Sequence, residues 1–193
     1  MRVLLIHAHP DPESYNAALF RTTLEGLRAA GHEVDVCDLY AEEFQPVLTR
    51  AERRGYHAIP ANREPVEGHV RRLEAAEALV LVYPVWNFGL PAILKGYLDR
   101  VFLPGVTFRM VEGRVRPNLH HIRKMLVVTT YGAVRWRAFV LGDPPRKIAT
   151  RVLRGLIRPA GSVAYLAHYD MNRSTDSTRG AFLRKVSAAA RAF

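Results

Sequence analysis

Residues 78–101 read Ala-Leu-Val-Leu-Val-Tyr-Pro-Val-Trp-Asn-Phe-Gly-Leu-Pro-Ala-Ile-Leu-Lys-Gly-Tyr-Leu-Asp-Arg-Val. The first six are apolar without a polar break, as in a parallel strand buried on both faces. From Pro91 the period changes. Leu94, Tyr97, Leu98 and Val101 share one helical face, which predicts a helix over about 91–102. Strand, loop, helix is half of a βαβ unit, and the rest of the chain repeats it. Short apolar runs at Val3–Ile6, Val34–Cys37, Met125–Thr130 and Val163–Ala167 supply four more strands. Strands that alternate with helices five times predict an α/β fold. It has a doubly wound, five-stranded parallel sheet with helices on both faces, in one domain spanning 1–193.

The helices between these strands carry their own signals. Ser14 reads as the cap of a helix whose Phe20, Leu24 and Leu27 make one stripe, ended by Gly31. A helix is expected around Glu67–Ala75. Another starts at Gly142-Asp143-Pro144-Pro145 and carries Ala149, Val152, Leu153 and Leu156. Phe182, Val186, Ala189 and Phe193 mark the last. Phe108 to Val115 resembles a hairpin turning at Glu112-Gly113. Residues 40–66 are interrupted by Pro46, Pro60 and Pro65 and hold one short helix, opened by Thr49 and Glu52 in capping-box spacing. A connection that long is usually functional or interfacial.

Composition narrows the classes. The chain has 193 residues, 49% hydrophobic and 24% charged, which are globular values. Its lone cysteine, Cys37, permits no intrachain disulfide and no thiolate metal cluster, and in an alternating apolar run it reads as a buried hydrophobe. The paired His120-His121 lacks a carboxylate cluster, so no metal is expected. No apolar run reaches membrane-spanning length, and the N-terminus has no signal-peptide core, so a cytoplasmic protein without membrane insertion is expected. The net charge of +10 comes from Lys and Arg spread over several segments, without a nucleic-acid motif. That pattern suits attraction of anionic small molecules better than nucleic-acid binding.

In a sheet of this kind a ligand sits beyond the carboxyl ends of the strands, at the point where strand order reverses. The loop after strand one, His7-Ala8-His9-Pro10-Asp11-Pro12-Glu13-Ser14-Tyr15-Asn16, has neither the dinucleotide glycines nor a P-loop. It does end at a helix N-terminus, where free amides favour a phosphate, and Ser14, Asn16 and His9 could add to that site. The same residues also read as plain helix caps. After strand three, Trp86 and Phe88 stand beside Asn87 and Gly89 on a loop. A flat heteroaromatic ring could use aromatic walls and amide donors there, whereas the alternative folds the aromatics back into the core.

These two loops, together with Thr129-Thr130-Tyr131-Gly132, closely resemble the NAD(P)H:quinone oxidoreductase family, from residue 1 to about 132 and more weakly beyond. The resemblance implies a flavodoxin-like sheet of order 2-1-3-4-5 and a bound flavin, FAD in preference to FMN, with NAD(P)H as electron donor. It places His9, Ser14, Tyr15, Asn16 and Ala18 on the phosphate side. Pro84, Val85, Trp86, Asn87 and Phe88 run along the isoalloxazine, and Thr129, Thr130 and Gly132 lie over its other edge. Arg179 resembles an arginine near the cofactor's ribose or adenine, and the family is commonly dimeric with sites at the interface. One departure stands out. The family's mammalian enzymes carry a Tyr and a His after this loop, proposed to relay a proton, but residues 132–143 contain no His. Any relay must differ, with Tyr131 or solvent as its source, and Phe108, Met110 and Trp136 are expected as apolar walls over the substrate.

The expected activity is two-electron, ping-pong reduction of quinones or similar small electrophiles. Two other readings are a flavin-binding ancillary subunit of a membrane transport system and a single-electron carrier. The +10 charge argues against the carrier.

Overall fold

The computed structural model describes residues 1–193. Five parallel strands form the sheet: β1 (Arg2–His7), β2 (Glu33–Asp38), β3 (Ala78–Val85), β6 (Lys124–Tyr131) and β7 (Ser162–His168). Their spatial order, β2-β1-β3-β6-β7, is the 2-1-3-4-5 order expected. The two remaining strands, β4 (Phe108–Val111) and β5 (Arg114–Pro117), pair with each other as the expected antiparallel hairpin. Every strand of the main sheet outruns its apolar signal. β3 takes in Pro84 and Val85, and β6 runs from Lys124 to Tyr131, with Val85 beside Tyr131.

Alternate residues of each strand face opposite layers. Val3, Leu5, Val80, Val82, Leu126 and Val128 point toward α1 (Tyr15–Ala29) and α8 (Asp176–Arg191), in a core of 12 buried residues. Leu4, Ile6, Leu79, Leu81 and Val127 point the other way, into a core of 27. That larger core includes residues of α3 (Glu67–Ala75) and α4 (Ala92–Val101). The smaller layer is tight: a Cβ on Gly26 of α1 would sit 2.6 Å from Ala190 Cβ of α8. The stripe of α8 is Phe182, Val186 and Ala190 rather than the expected Ala189, and Phe193 lies just past the helix. In α1 the fully buried leucines are Leu19 and Leu27, with Phe20 and Leu24 at the edge.

The short helix in 40–66 is α2 (Arg50–Arg54), and its capping box is formed. The Thr49 side chain accepts from the Glu52 N–H, and the Glu52 carboxylate accepts from the Thr49 N–H. Glu52 also pairs at 2.5 Å with Arg100 of α4, both side chains largely buried. The chain after Asp143 is one continuous helical run, but not a uniform one. It passes from α6 (Pro144–Lys147) through a π-helical stretch, Ile148–Leu153, into α7 (Arg154–Leu156). Before it lies α5 (Arg135–Val140), which no sequence signal marked.

Candidate functional site

The strand ends bring the three loops to one edge of the sheet. At the end of β1, His7 bonds Asp38 Oδ2 through Nδ1 at 2.9 Å and stacks on Phe20, with ring centroids 4.5 Å apart. Its Nε2 is buried without a partner. The loop then crosses to α1. Ser14 is the N-cap: its Oγ accepts from the Ala17 N–H at 3.1 Å and donates to the Asp11 carbonyl at 2.8 Å. That satisfies the capping reading in full. Asn16 does not behave as a cap. It is 3% exposed, and neither its amide nitrogen nor its carbonyl oxygen has a hydrogen-bond partner. A buried, unpartnered carboxamide costs free energy unless something else supplies the bonds. It lies one residue into α1, where backbone amides and the helix dipole favour an anion.

The β3 loop meets this one. His9 and Trp86 have ring centroids 5.8 Å apart, and burial lowers the His9 pKa, which favours its neutral form. Trp86 is 42% exposed, so the core-filling reading does not hold for it, and Phe88 is half-buried. Asn87 and Phe88 both have positive φ, 49° and 53°, between Trp86 and Gly89, whose backbones bond to each other in both directions. That is a two-residue reversal of the I′ kind, which normally selects Asn and Gly. A phenylalanine in that conformation is strained, and such strain gathers at ligand sites.

A cleft of about 940 Å³ opens beside it, lined by Val85, Asn87 and Phe88 from the β3 loop and by Tyr131, Gly132, Ala133 and Val134 after β6. Trp136, Arg137, Val140 and Leu141 of the α5 region, with Asp170, Asn172 and Arg173, complete it. Tyr131 reaches it from a fixed position. Its hydroxyl donates to Asp143 Oδ1 and bonds the Tyr165 hydroxyl, each at 2.6 Å, and its ring lies 4.6 Å from Tyr169. Burial, then the Asp143 hydrogen bond, push its pKa well up, so the phenol keeps its proton near neutral pH. A hydroxyl held in this way anchors the loop and is poorly suited to release a proton.

The other expected residues divide. Pro84, Thr129 and Thr130 lie inside strands, and the Thr129 hydroxyl donates to the Tyr83 carbonyl at 2.7 Å. Tyr15 donates its hydroxyl to the Arg179 carbonyl, and burial raises its pKa to about 12. Arg179 spends its guanidinium on Ser174 and on Asp176. Ala18 is half-buried on α1. Trp136 lines the cleft, but Phe108 and Met110 stand on the hairpin and do not. Asn172, Arg173 and α5 were missed because nothing in their sequence is periodic or motif-like. Elsewhere, Cys37, Glu42 and His69 place ligand atoms within 4.8 Å of one another. The Arg72 guanidinium already holds both Glu42 oxygens, and burial pushes the thiol up, so the trio is a poor cation site.

A family model described as the flavodoxin-like fold matches residues 1–152. The chain belongs to this family, in its NAD(P)H:quinone oxidoreductase branch. A NAD(P)H dehydrogenase (quinone) 1 of Cavia porcellus is 31% identical over 148 residues, 68% of this chain and 54% of that one. This family member therefore spans about half the length of the curated relatives it matches. The NAD(P)H:quinone oxidoreductase from Methanothermobacter marburgensis superposes with a TM-score of 0.84 at 28% identity, over 99% of this chain and 98% of that one. A FMN-dependent NADH-azoreductase from Bacillus anthracis, solved in complex with FMN, shares the fold with a TM-score of 0.79 at 19% identity, covering 98% and 97%. No helix of this flavodoxin-like chain is long and apolar enough to cross a membrane.

Proposed function

We propose that the chain is a flavin-dependent NAD(P)H oxidoreductase that reduces quinones or similar small electrophiles two electrons at a time. The buried, unpartnered carboxamide of Asn16 at the start of α1 carries this reading. It is a polar group without a protein partner at the strand-order switch point, on the sheet edge that also carries the strained turn. A bound flavin supplies the hydride chemistry, accepting from the nicotinamide and passing two electrons to the acceptor. Asn16 and the first amides of α1 hold its phosphate. Trp86 and Phe88 pack along the ring, and the amides of Asn87, Phe88 and Gly132 stabilise negative charge on it. Donor and acceptor take turns in the one cleft, in a ping-pong cycle.

FMN is the cofactor we favour, which departs from the expectation of FAD. Arg179, expected near the adenosine half, is committed to Ser174 and Asp176, and the structurally similar azoreductase was solved with FMN. We also propose a cytoplasmic homodimer. Exposed Val47 and Ile59 of the long 40–66 segment and Met110 and Val115 of the hairpin offer an apolar contact surface.

The test is the visible spectrum of the purified protein, mass analysis of the flavin released by heat, and NAD(P)H oxidation with a soluble quinone. Stoichiometric FMN and quinone-dependent oxidation are expected. A folded chain that binds neither FMN nor FAD at micromolar concentration overturns the proposal.

A further inference from the structure

The cleft carries a charge that nothing in the chain balances. Three of its lining residues are charged: Arg137 of α5, Asp170 and Arg173. Asp170 and Arg173 neutralise each other. Both carboxylate oxygens accept from Arg173 Nε, at 3.1 and 3.0 Å, and a terminal nitrogen adds a contact at 2.8 Å. Arg137 is left over. It is exposed and in no ion pair, and its guanidinium carbon lies 5.4 Å from the ring centre of Trp136. The next acid along the chain, Asp143, is held by the Tyr131 hydroxyl. Around this cation the lining is aromatic or aliphatic, from Phe88, Tyr131, Trp136, Val140 and Leu141. The plain reading of Arg137 is a cation placed in the last turn of a helix, where it complements the free carbonyls. That role asks nothing of the cleft, so the two readings predict different things.

We propose that Arg137 makes this cleft selective for flat aromatic acceptors that carry a fixed negative charge, a sulfonate or a carboxylate. The inference rests on the oxidoreductase reading above and names its acceptor class. A guanidinium presents paired, planar donors that match the oxygens of either group. Beside it the aromatic and aliphatic walls take the ring. Walls of low polarity also make the pairing stronger than the same charge would give on an open surface. One free cation suits one anionic substituent. The dinucleotide donor carries its charge in a diphosphate, and the cleft offers that group no second free cation, since Arg173 is committed to Asp170. A second copy of the chain closing over the cleft would add walls and leave the charge in place, unless it brought a carboxylate to Arg137.

Matched ligands test this on the full chain as purified, in the assembly it forms in solution. Naphthalene-2-sulfonate and naphthalene-2-sulfonamide share a shape, differ by one charge, and are not reduced. Calorimetry should show the sulfonate bound about fivefold more tightly, with the preference shrinking as salt is added. Arg137→Gln should abolish the preference and Arg137→Lys should restore part of it. Arg28→Gln, at the far end of α1, should leave it intact, which separates Arg137 from the net charge of the molecule. In turnover, the kcat/KM ratio of 1,2-naphthoquinone-4-sulfonate to 1,2-naphthoquinone should fall about fivefold in Arg137→Gln. A lower melting temperature of Arg137→Gln with the ligand preference unchanged overturns the proposal and leaves a helix-end cation. An equal loss for charged and neutral ligands overturns it, as does a rise in the KM for NAD(P)H alone, which gives the arginine to the donor. A wild type with no preference for the sulfonate also overturns it, the result expected if a second copy supplies a carboxylate. A sulfonate preference that depends on Arg137, without any quinone reduction, supports the selectivity and overturns the oxidoreductase reading instead.

Discussion

Asn16 and Ser14 sit two residues apart and do opposite things. Ser14 has its cap bonds, so Ser14→Ala should cost the apoprotein about 1 kcal/mol of stability. Asn16 has none, so Asn16→Ala should leave the apoprotein at least as stable as before, because it removes a buried group that nothing satisfies. It should instead weaken flavin binding by about 1–3 kcal/mol, the usual worth of hydrogen bonds to a charged group. Paired thermal melts and flavin titrations on the two variants check this. A destabilised Asn16→Ala apoprotein with unchanged flavin affinity would make the residue a structural one. The sequence alone could not separate the two, since a cap and a candidate ligand look alike until the partners are counted. The positive φ at Phe88 was equally out of reach, because no propensity assigns a phenylalanine to that conformation.

At the scale of elements, α4 and the long connection before it hold each other. A Cβ on Gly96 would lie 2.2 Å from the Pro46 carbonyl oxygen, so Gly96→Ala must push the 40–66 segment off α4. We expect a loss of about 1–3 kcal/mol in chemical denaturation, typical of overpacking. The Glu52–Arg100 pair adds a pH dependence to the same joint. Burial pushes the Glu52 carboxyl up. The Thr49 hydrogen bonds and the Arg100 guanidinium outweigh it, and the group ends below its ordinary value. A depressed acid stabilises the fold above its unfolded pKa, about 4.3, and that stability is lost as pH falls through the folded value. Melting curves of wild type and Glu52→Gln should therefore differ at neutral pH and converge below about pH 4.

The strands were legible because burial on both faces leaves unbroken apolar runs such as 78–83 and 125–128. Their last residues were not, since Pro84 and Tyr131 join the sheet only through register with a neighbour. α5 was invisible for a different reason. It buries almost nothing, so it imposes no period on its sequence.

Across the whole molecule, charge and layering matter more than any single contact. On the proposed function, a net charge of +10 should draw the anionic donor toward the protein. The kcat/KM for NAD(P)H should accordingly fall as ionic strength rises, while kcat at saturation stays nearly level. A flat salt profile would mean that the positive charge serves something other than donor capture. The cleft, the strained turn and the orphaned carboxamide all gather at the carboxyl ends of β1, β3 and β6, which the order of strands made predictable before any side chain was placed.

The smaller of the two cores has an uneven origin. Its sheet residues begin at Val3 and its first helix, α1, is complete by Ala29, but its other wall is α8, residues 176–191. On a ribosome the chain emerges from the N-terminus, so Leu19 and Leu27 leave the exit tunnel long before α8 can cover them. The opposite layer can close while this one is still bare. From the emergence of Ile157 until α8 follows, the nascent protein holds one finished side and one sticky side, and Gly26 and Ala190 meet only as α8 docks.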